Sequence, residues 1–340
     1  MSNFNKNLYL KKIIFFCAII SVGFLSRIAY NAQNNSQTFL ANKSLALVNT
    51  NSIISVNNNS QPMISDNIQN NQTDSNLPTQ STVIKSDPLL SQDNNNSVIS
   101  GLKYQEALIA NLDNGAIFFS SNDSKKWPLA SLSKLMTATI VLDNFQMDQK
   151  ITITHDAFIA DPEERTLREG NVYSVSDLLH FLLLPSSNVA AEAFADAFGR
   201  SKFLAAMNAR ALSWGMTNTH YDDPSGLSSG NQSTADDLLL LAKKIYFDYP
   251  QILDITRTPQ IYATELNSNT KVLVKSINYF AGQSDFIGGK TGYTNLADGN
   301  LLSIFRYKSN PIIVIILGTS EANRFTNTQK LFNWFKSQPQ

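Results

Sequence analysis

The chain has 340 residues, 43% of them hydrophobic, with 27 basic and 27 acidic side chains and a formal net charge of zero. That balance leaves none of the basic footprint a nucleic-acid binder needs. The single cysteine, Cys17, excludes an intrachain disulfide and any cysteine-based metal site. The three histidines, His155, His180 and His220, are far apart and lack metal-ligand spacing, so they read as surface or packing residues.

In chain order, Lys6, Lys11 and Lys12 precede an apolar run over residues 13–25. A positive segment followed by a short apolar one has signal-peptide character. A spanning helix usually wants about 20 apolar residues. Extension to Tyr30 is interrupted by Ser26 and Arg27, and no clean Ala-x-Ala site comes after it. Residues 1–30 are therefore expected to form an N-terminal signal anchor, with a cleaved signal peptide as the alternative. Either exports the chain beyond Tyr30, and the lysines favour a cytoplasmic N-terminus. Bulky Phe15 and Phe16 ahead of Cys17 argue against a lipoprotein site.

Residues 31–101 are rich in Asn, Gln and Ser, with Phe39 as the sole aromatic. Such a segment buries too little surface to offset its ordering entropy. It is expected to be a disordered linker whose ends lie roughly 45 Å apart on average.

From residue 102 the texture turns globular. Residues 106–112 and 116–120 are strand-like, and Asp113-Asn114-Gly115 between them carries Asn-Gly turn chemistry, which predicts a β-hairpin. Helices are predicted over 131–145, over 175–184 (stopped by Pro185), over 189–198 before Gly199, and over 202–214 before Gly215. Another is predicted over 235–246, where Thr234 and Asp237 resemble a capping box. Strands return at 300–307 and 312–318, separated by residues 308–311, and an amphipathic helix is predicted over 323–335. Strands at both ends with helices between them predict an α+β fold. One antiparallel sheet is flanked by helices and carries a helical subdomain.

Three clusters carry the chemistry. Ser131 and Lys134 lie three apart on a predicted helix and share a face. Ser131 stands at the helix start, where N–H groups and the dipole favour an anion. No histidine is placed to activate the serine. A buried lysine can, if desolvation and a second cation lower its pKa, and Lys290 is a candidate for that cation. Alone, the pair also fits a capping serine with a surface lysine. In Ser186-Ser187-Asn188, the ordinary reading is an N-cap. The functional one makes Ser186 a proton relay and gives Asn188 an amide for the substrate or for a lysine. Around Lys290-Thr291-Gly292-Tyr293, flanking Gly288 and Gly289 would let a substrate backbone approach a strand closely. Lys290 and Thr291 offer a positive charge and a hydroxyl to a carboxylate. No metal or cofactor is called for.

Together and in this order, the clusters resemble the Ser-x-x-Lys, Ser-x-Asn and Lys-Thr-Gly signature of penicillin-interacting serine hydrolases. The likeness extends over Pro128 to Ala138, Leu182 to Asn188, Gly215 to His220, Asp223 to Leu227 and Gly289 to Thr294. Residues 102–337 thus resemble the catalytic domain of the low-molecular-weight penicillin-binding proteins, the D-alanyl-D-alanine carboxypeptidase family of serine peptidases.

The resemblance implies a β-lactamase/transpeptidase-like fold and peptidoglycan stem peptides as substrates. It implies acylation of Ser131 with Lys134 as base, an oxyanion hole of the Ser131 and Tyr293 N–H groups, and inhibition by β-lactams. Asn188, Lys290, Thr291, Gly292 and Tyr293 would bind substrate. With the N-terminal segment, it implies an extracytoplasmic enzyme, in the periplasm or cell-wall space, tethered to the cytoplasmic membrane. The chain stops at Gln340, without the C-terminal β-domain and amphipathic anchor of some members, so the N-terminal anchor is expected to replace them. An arginine that some members place ahead of Lys-Thr-Gly is not evident; Lys275 is the nearest cation there.

Three rivals share the residues. A D,D-endopeptidase cutting cross-links uses the same groups. A class A β-lactamase needs a glutamate between the second and third motifs, where only Glu192 and Glu265 occur, neither well placed. A wall-binding protein without catalysis would not need intact Ser131, Lys134 and Lys290.

Overall fold

The expected hairpin forms as β1 (Glu106–Asn111) and β2 (Ile117–Ser121) in a computed structural model that describes residues 101–339. The expected anchor, and all of the expected linker except Gly101, lie outside the described residues. Gly115, with φ 75°, takes the left-handed position of the hairpin turn.

Strand β1 joins the C-terminal strands in an antiparallel sheet of order β2-β1-β11-β10-β9, where β9 is Phe286–Thr294, β10 Asp298–Tyr307 and β11 Asn310–Thr319. The turn between β10 and β11 is shorter than predicted. Tyr307 pairs with Asn310, leaving only Lys308 and Ser309, both at positive φ, to reverse the chain. Pro311 does not end the pairing; it lies inside β11 opposite Arg306, and its carbonyl accepts from Leu112 N at 2.9 Å.

Strand β11 is apolar from Pro311 to Leu317 because that stretch is buried on both faces. Ile312, Val314 and Ile316 face one core, and Ile313, Ile315 and Leu317 the other, as a two-residue strand period requires. The first core is aromatic and is closed by the C-terminal helix (Arg324–Ser337). Phe332 of that helix stacks on Phe305 at 4.5 Å between centroids, and Phe280 meets Phe305 edge-on at 5.1 Å.

The second core belongs to the helices inserted between β3 (Trp127–Pro128) and β9. They are α1 (Lys134–Asn144), α2 (His155–Ile159), α3 (Val175–Leu183), α4 (Asn188–Phe198), α5 (Arg200–Ser213), α6 (Ala235–Asp248) and α7 (Pro250–Thr256); the C-terminal helix is α8. Two-stranded pairs tie their loops together: β3 with β6 (Gln232–Ser233), β4 (Lys150–Thr152) with β5 (Val172–Ser174), and β7 (Gln260–Glu265) with β8 (Thr270–Lys275). The sequence reading did not anticipate these short pairs.

Thr234 caps α6 by accepting from Asp237 N at 3.1 Å. The reciprocal arm of the predicted capping box is absent. Asp237 instead accepts from Asn218 N and from Thr219 Oγ1, both at 2.8 Å, and ties the segment after α5 to this helix.

Truncating Phe305 to Ala should destabilise the domain by about 3–5 kcal/mol, because it empties the centre of the aromatic core. Urea unfolding of the variant against wild type measures it.

Candidate active site

Ser131 does not lie on an α-helix, as the sequence predicted. It sits in a 3-10 turn, Ala130–Ser133, that runs into α1. The turn is set from behind. Ala130 has φ 48°, and its carbonyl accepts from Ser133 Oγ at 2.9 Å. Ser133 in turn accepts from Asn231 Nδ2 at 2.9 Å. Gly226 packs against the same carbonyl so closely that a Cβ there would come within 1.9 Å of Ala130 O. Its φ of 89° also favours glycine.

Lys134, three residues on, is completely buried. Its Nζ lies 2.9 Å from Ser131 Oγ, 2.7 Å from Asn188 Oδ1 and 2.7 Å from the Ser225 carbonyl. Burial is the main cause that lowers its pKa to about 7. The carboxylates of Asp223, Asp161, Glu164 and Glu192 pull the other way. The geometry gives the neutral amine a direction. Two of its acceptors, Asn188 Oδ1 and Ser225 O, have no proton to give, so they hold the two N–H groups. The lone pair is left facing the Ser131 hydroxyl.

Ser225 is presented by a tightly braced loop. Asp223 Oδ1 accepts from Ser225 N at 2.7 Å and from Ser225 Oγ at 2.9 Å, while Thr137 Oγ1 donates to Pro224 O at 2.5 Å. In the sequence this stretch stands out only as a family likeness. Its contribution is a main-chain carbonyl, which no side-chain pattern advertises.

In the second cluster the two serines take different partners. Ser187 is the N-cap of α4, accepting from Ala190 N at 3.0 Å. Ser186, at φ 67°, turns its hydroxyl to Lys290, whose Nζ lies 2.8 Å from Ser186 Oγ. Lys290 Nζ also donates to Thr291 O at 2.9 Å. Burial, then repulsion from Lys134 and Arg324, holds the pKa of Lys290 well below the usual lysine range. The two lysines repel each other when both are charged, and desolvation is the larger cause at each. The other charged neighbour acting on Lys290 is also a cation, Arg324.

Lys290, Thr291, Gly292 and Tyr293 lie on β9, the edge strand of the sheet. A Cβ on Gly292 would sit 2.8 Å from Leu129 O and 3.3 Å from Ser131 N, so glycine lets this strand approach the serine turn. Thr291 is buried beside Lys290, and Tyr293 is half exposed. Arg324, missed from sequence, opens α8 beneath this strand. It is buried, and its Nη1 lies 3.4 Å from Gly292 O. Arg324 follows Lys290 in sequence and is brought beside Gly292 by the helix that closes the aromatic core. Only the fold could reveal this.

A profile of the D-alanyl-D-alanine carboxypeptidase family matches residues 93–321. The chain belongs to this family. A D-alanyl-D-alanine endopeptidase of Escherichia coli (strain K12) is 31% identical over 243 residues, which is 68% of this chain and 76% of that protein. The structure of a D-alanyl-D-alanine carboxypeptidase from Mycobacterium tuberculosis H37Rv aligns with a TM-score of 0.63 at 27% identity, over 70% of this chain and 92% of that one. Penicillin-binding protein D2 from Listeria monocytogenes, in its cefotaxime-bound form, aligns at 0.61 with 29% identity, over 68% and 97%. The fold is the expected α+β, transpeptidase-like one.

Other side chains weighed from sequence have settled structural partners in this D-alanyl-D-alanine carboxypeptidase family member. Glu192 pairs with Arg200 at 2.9 Å. Glu265 ends β7, accepting from Val172 N and from Ser268, and these hydrogen bonds lower its pKa to about 2. Lys275 ends β8, exposed and in register with Gln260. His155 and His220 are exposed beside Glu169 and Asp222, and His180 Nδ1 faces the Ser176 carbonyl.

Gly226→Ala should slow acylation of Ser131 by a fluorescent penicillin by about 100-fold, since its Cβ displaces the serine turn. Stopped-flow labelling of the folded variant checks this, and a wild-type rate would refute the role assigned to Gly226.

Proposed function

We propose that the chain hydrolyses the D-Ala–D-Ala bond of peptidoglycan stem peptides through an acyl-enzyme on Ser131. The observation that carries this reading is the position of Lys134 Nζ, 2.9 Å from Ser131 Oγ with its other two neighbours both proton acceptors. As Oγ attacks the scissile carbonyl, its proton passes to Lys134. The N–H groups of Ser131 and Tyr293 face the developing oxyanion. The carbon–nitrogen bond then breaks, and the proton taken by Lys134 passes to the leaving amine through Ser186, which is held by Lys290. Water then attacks the ester, giving a proton to Lys134, which returns it to Ser131 Oγ as the shortened peptide leaves. Asn188 orients the substrate backbone together with β9, the edge strand of the sheet.

The terminal carboxylate of the substrate is received by Lys290, Thr291 and Arg324, which together supply two cations and a hydroxyl. β-Lactams present the same carboxylate beside a reactive amide and acylate Ser131. The cefotaxime-bound Listeria relative supports that reading. The lysines at 6, 11 and 12 and the apolar run 13–25 support a membrane-tethered enzyme in the periplasm or cell-wall space. Recovery of the full chain in alkali-washed membranes checks the tether, and its release into the wash refutes it.

The name of the Escherichia coli relative favours a second reading, cleavage of cross-links between stems, with the same groups in the same roles. Incubation with a pentapeptide monomer and a cross-linked dimer separates the two. Free D-Ala from the monomer marks a carboxypeptidase, and splitting of the dimer marks an endopeptidase. Ser131→Ala should abolish either reaction, and surviving hydrolysis would overturn the assignment.

A base with a pKa near 7 also sets the pH response. Neutral Lys134 accumulates as pH rises through about 7, so acylation should climb to a plateau above it. Below it, the rate should fall about tenfold per pH unit. A flat rate between pH 5 and 8 would exclude Lys134 as the base.

A further inference from the structure

The orientation of the Asn188 amide decides whether Lys134 can work. Oδ1 accepts from Lys134 Nζ at 2.7 Å. Turned over, the amide would present an N–H to the same nitrogen and compete with Ser131 for its lone pair. The group that settles the orientation lies on the far side of the amide. Asp161 Oδ2 accepts from Asn188 Nδ2 at 2.9 Å. A carboxylate offers only acceptors, so it holds the amide by its nitrogen and leaves the oxygen toward the lysine.

Asp161 belongs to a half-buried turn closed by Glu164 N donating to Asp161 O at 3.1 Å. Glu164 accepts from Ser187 Oγ, the cap of α4. The one turn therefore holds both Ser187 and Asn188. Neither carboxylate belongs to the three motifs.

We propose that Asp161 is a positioning residue that locks the Asn188 amide with its oxygen toward Lys134, and so keeps the lone pair of the base on Ser131. The inference rests on Lys134 acting as that base. The charged groups acting on Lys134 are Asp161 and Glu164 from this turn, Asp223 from the loop before Ser225, and Glu192 on α4; Lys290 on β9 is repelled by it. Removing Asp161 therefore has two separable effects, loss of a charge and loss of an acceptor.

The test measures the first-order acylation constant of Ser131 with a fluorescent penicillin across pH, for wild type, Asp161→Asn and Asp161→Ala. Unfolded protein lowers the labelled amplitude and leaves the rate constant of the folded population readable. Both variants lose the carboxylate that raises the pKa of Lys134, so both acid limbs should move to lower pH. The Asn variant keeps an acceptor oxygen, and its high-pH plateau should stay close to wild type. The Ala variant leaves the amide unanchored, and its plateau should fall roughly 10–100-fold. An Ala plateau equal to wild type overturns the inference. Equal falls in both variants also overturn it, because they assign the effect to charge. If wild type is not acylated at Ser131 at all, the proposed function itself fails.

Discussion

Burial of one amine organises this site. Taking Lys134 out of water penalises its ammonium form and brings its pKa down to about 7. A buried polar group left without partners would be costly, so the surroundings must satisfy it. They do so from three directions. The turn before α1 brings Ser131, the start of α4 brings Asn188, and the Asp223–Gly226 loop brings a carbonyl. The helical layer can be understood as the scaffold that makes these segments converge on one nitrogen.

The sheet supplies the second lysine, and the two layers meet where side chains are smallest. Gly292 lets β9 approach the Ser131 turn from one side, and Gly226 lets the Asp223 loop approach it from another. Any Cβ at these positions would push apart groups that must stay within hydrogen-bonding reach. Strand β9 is held by its pairing with β10 from Phe286 to Thr294, and β10 by the aromatic core that α8 closes. The same helix carries Arg324 to the underside of β9, so its packing also sets the electrostatics of the site.

Elements with strong local signals were legible in the sequence. The Asp113-Asn114-Gly115 turn and the apolar helix over 175–183 have their physics in neighbouring residues, and they form within a residue or so of the prediction. The three motifs were legible as a set because each brings unusual chemistry in a fixed order. What stayed hidden acts at long range or through the backbone. Ser225 contributes only a carbonyl, Arg324 lies 34 residues beyond Lys290, and Asp161 looks like any acid in a charged turn. The 3-10 turn at Ser131 was read as α-helix because helical periodicity does not register a carbonyl pinned by Gly226 and Ser133.

The two lysines differ in what surrounds them, and that difference suits their proposed tasks. Lys134 is lowered by burial and held up by four carboxylates, a balance that leaves it near neutral pH, where a general base is most effective. Lys290 has burial and two cations acting on it. Among the described residues no carboxylate acts on it, and a carboxylate is what a substrate or a penicillin brings. An anion bound between Lys290 and Arg324 would raise the affinity of Lys290 for a proton, placing that proton beside Ser186 when a leaving amine needs one. On this reading the substrate completes the electrostatics of its own site. Groups lacking the carboxylate would be poor acyl donors even where their scissile bond reaches Ser131.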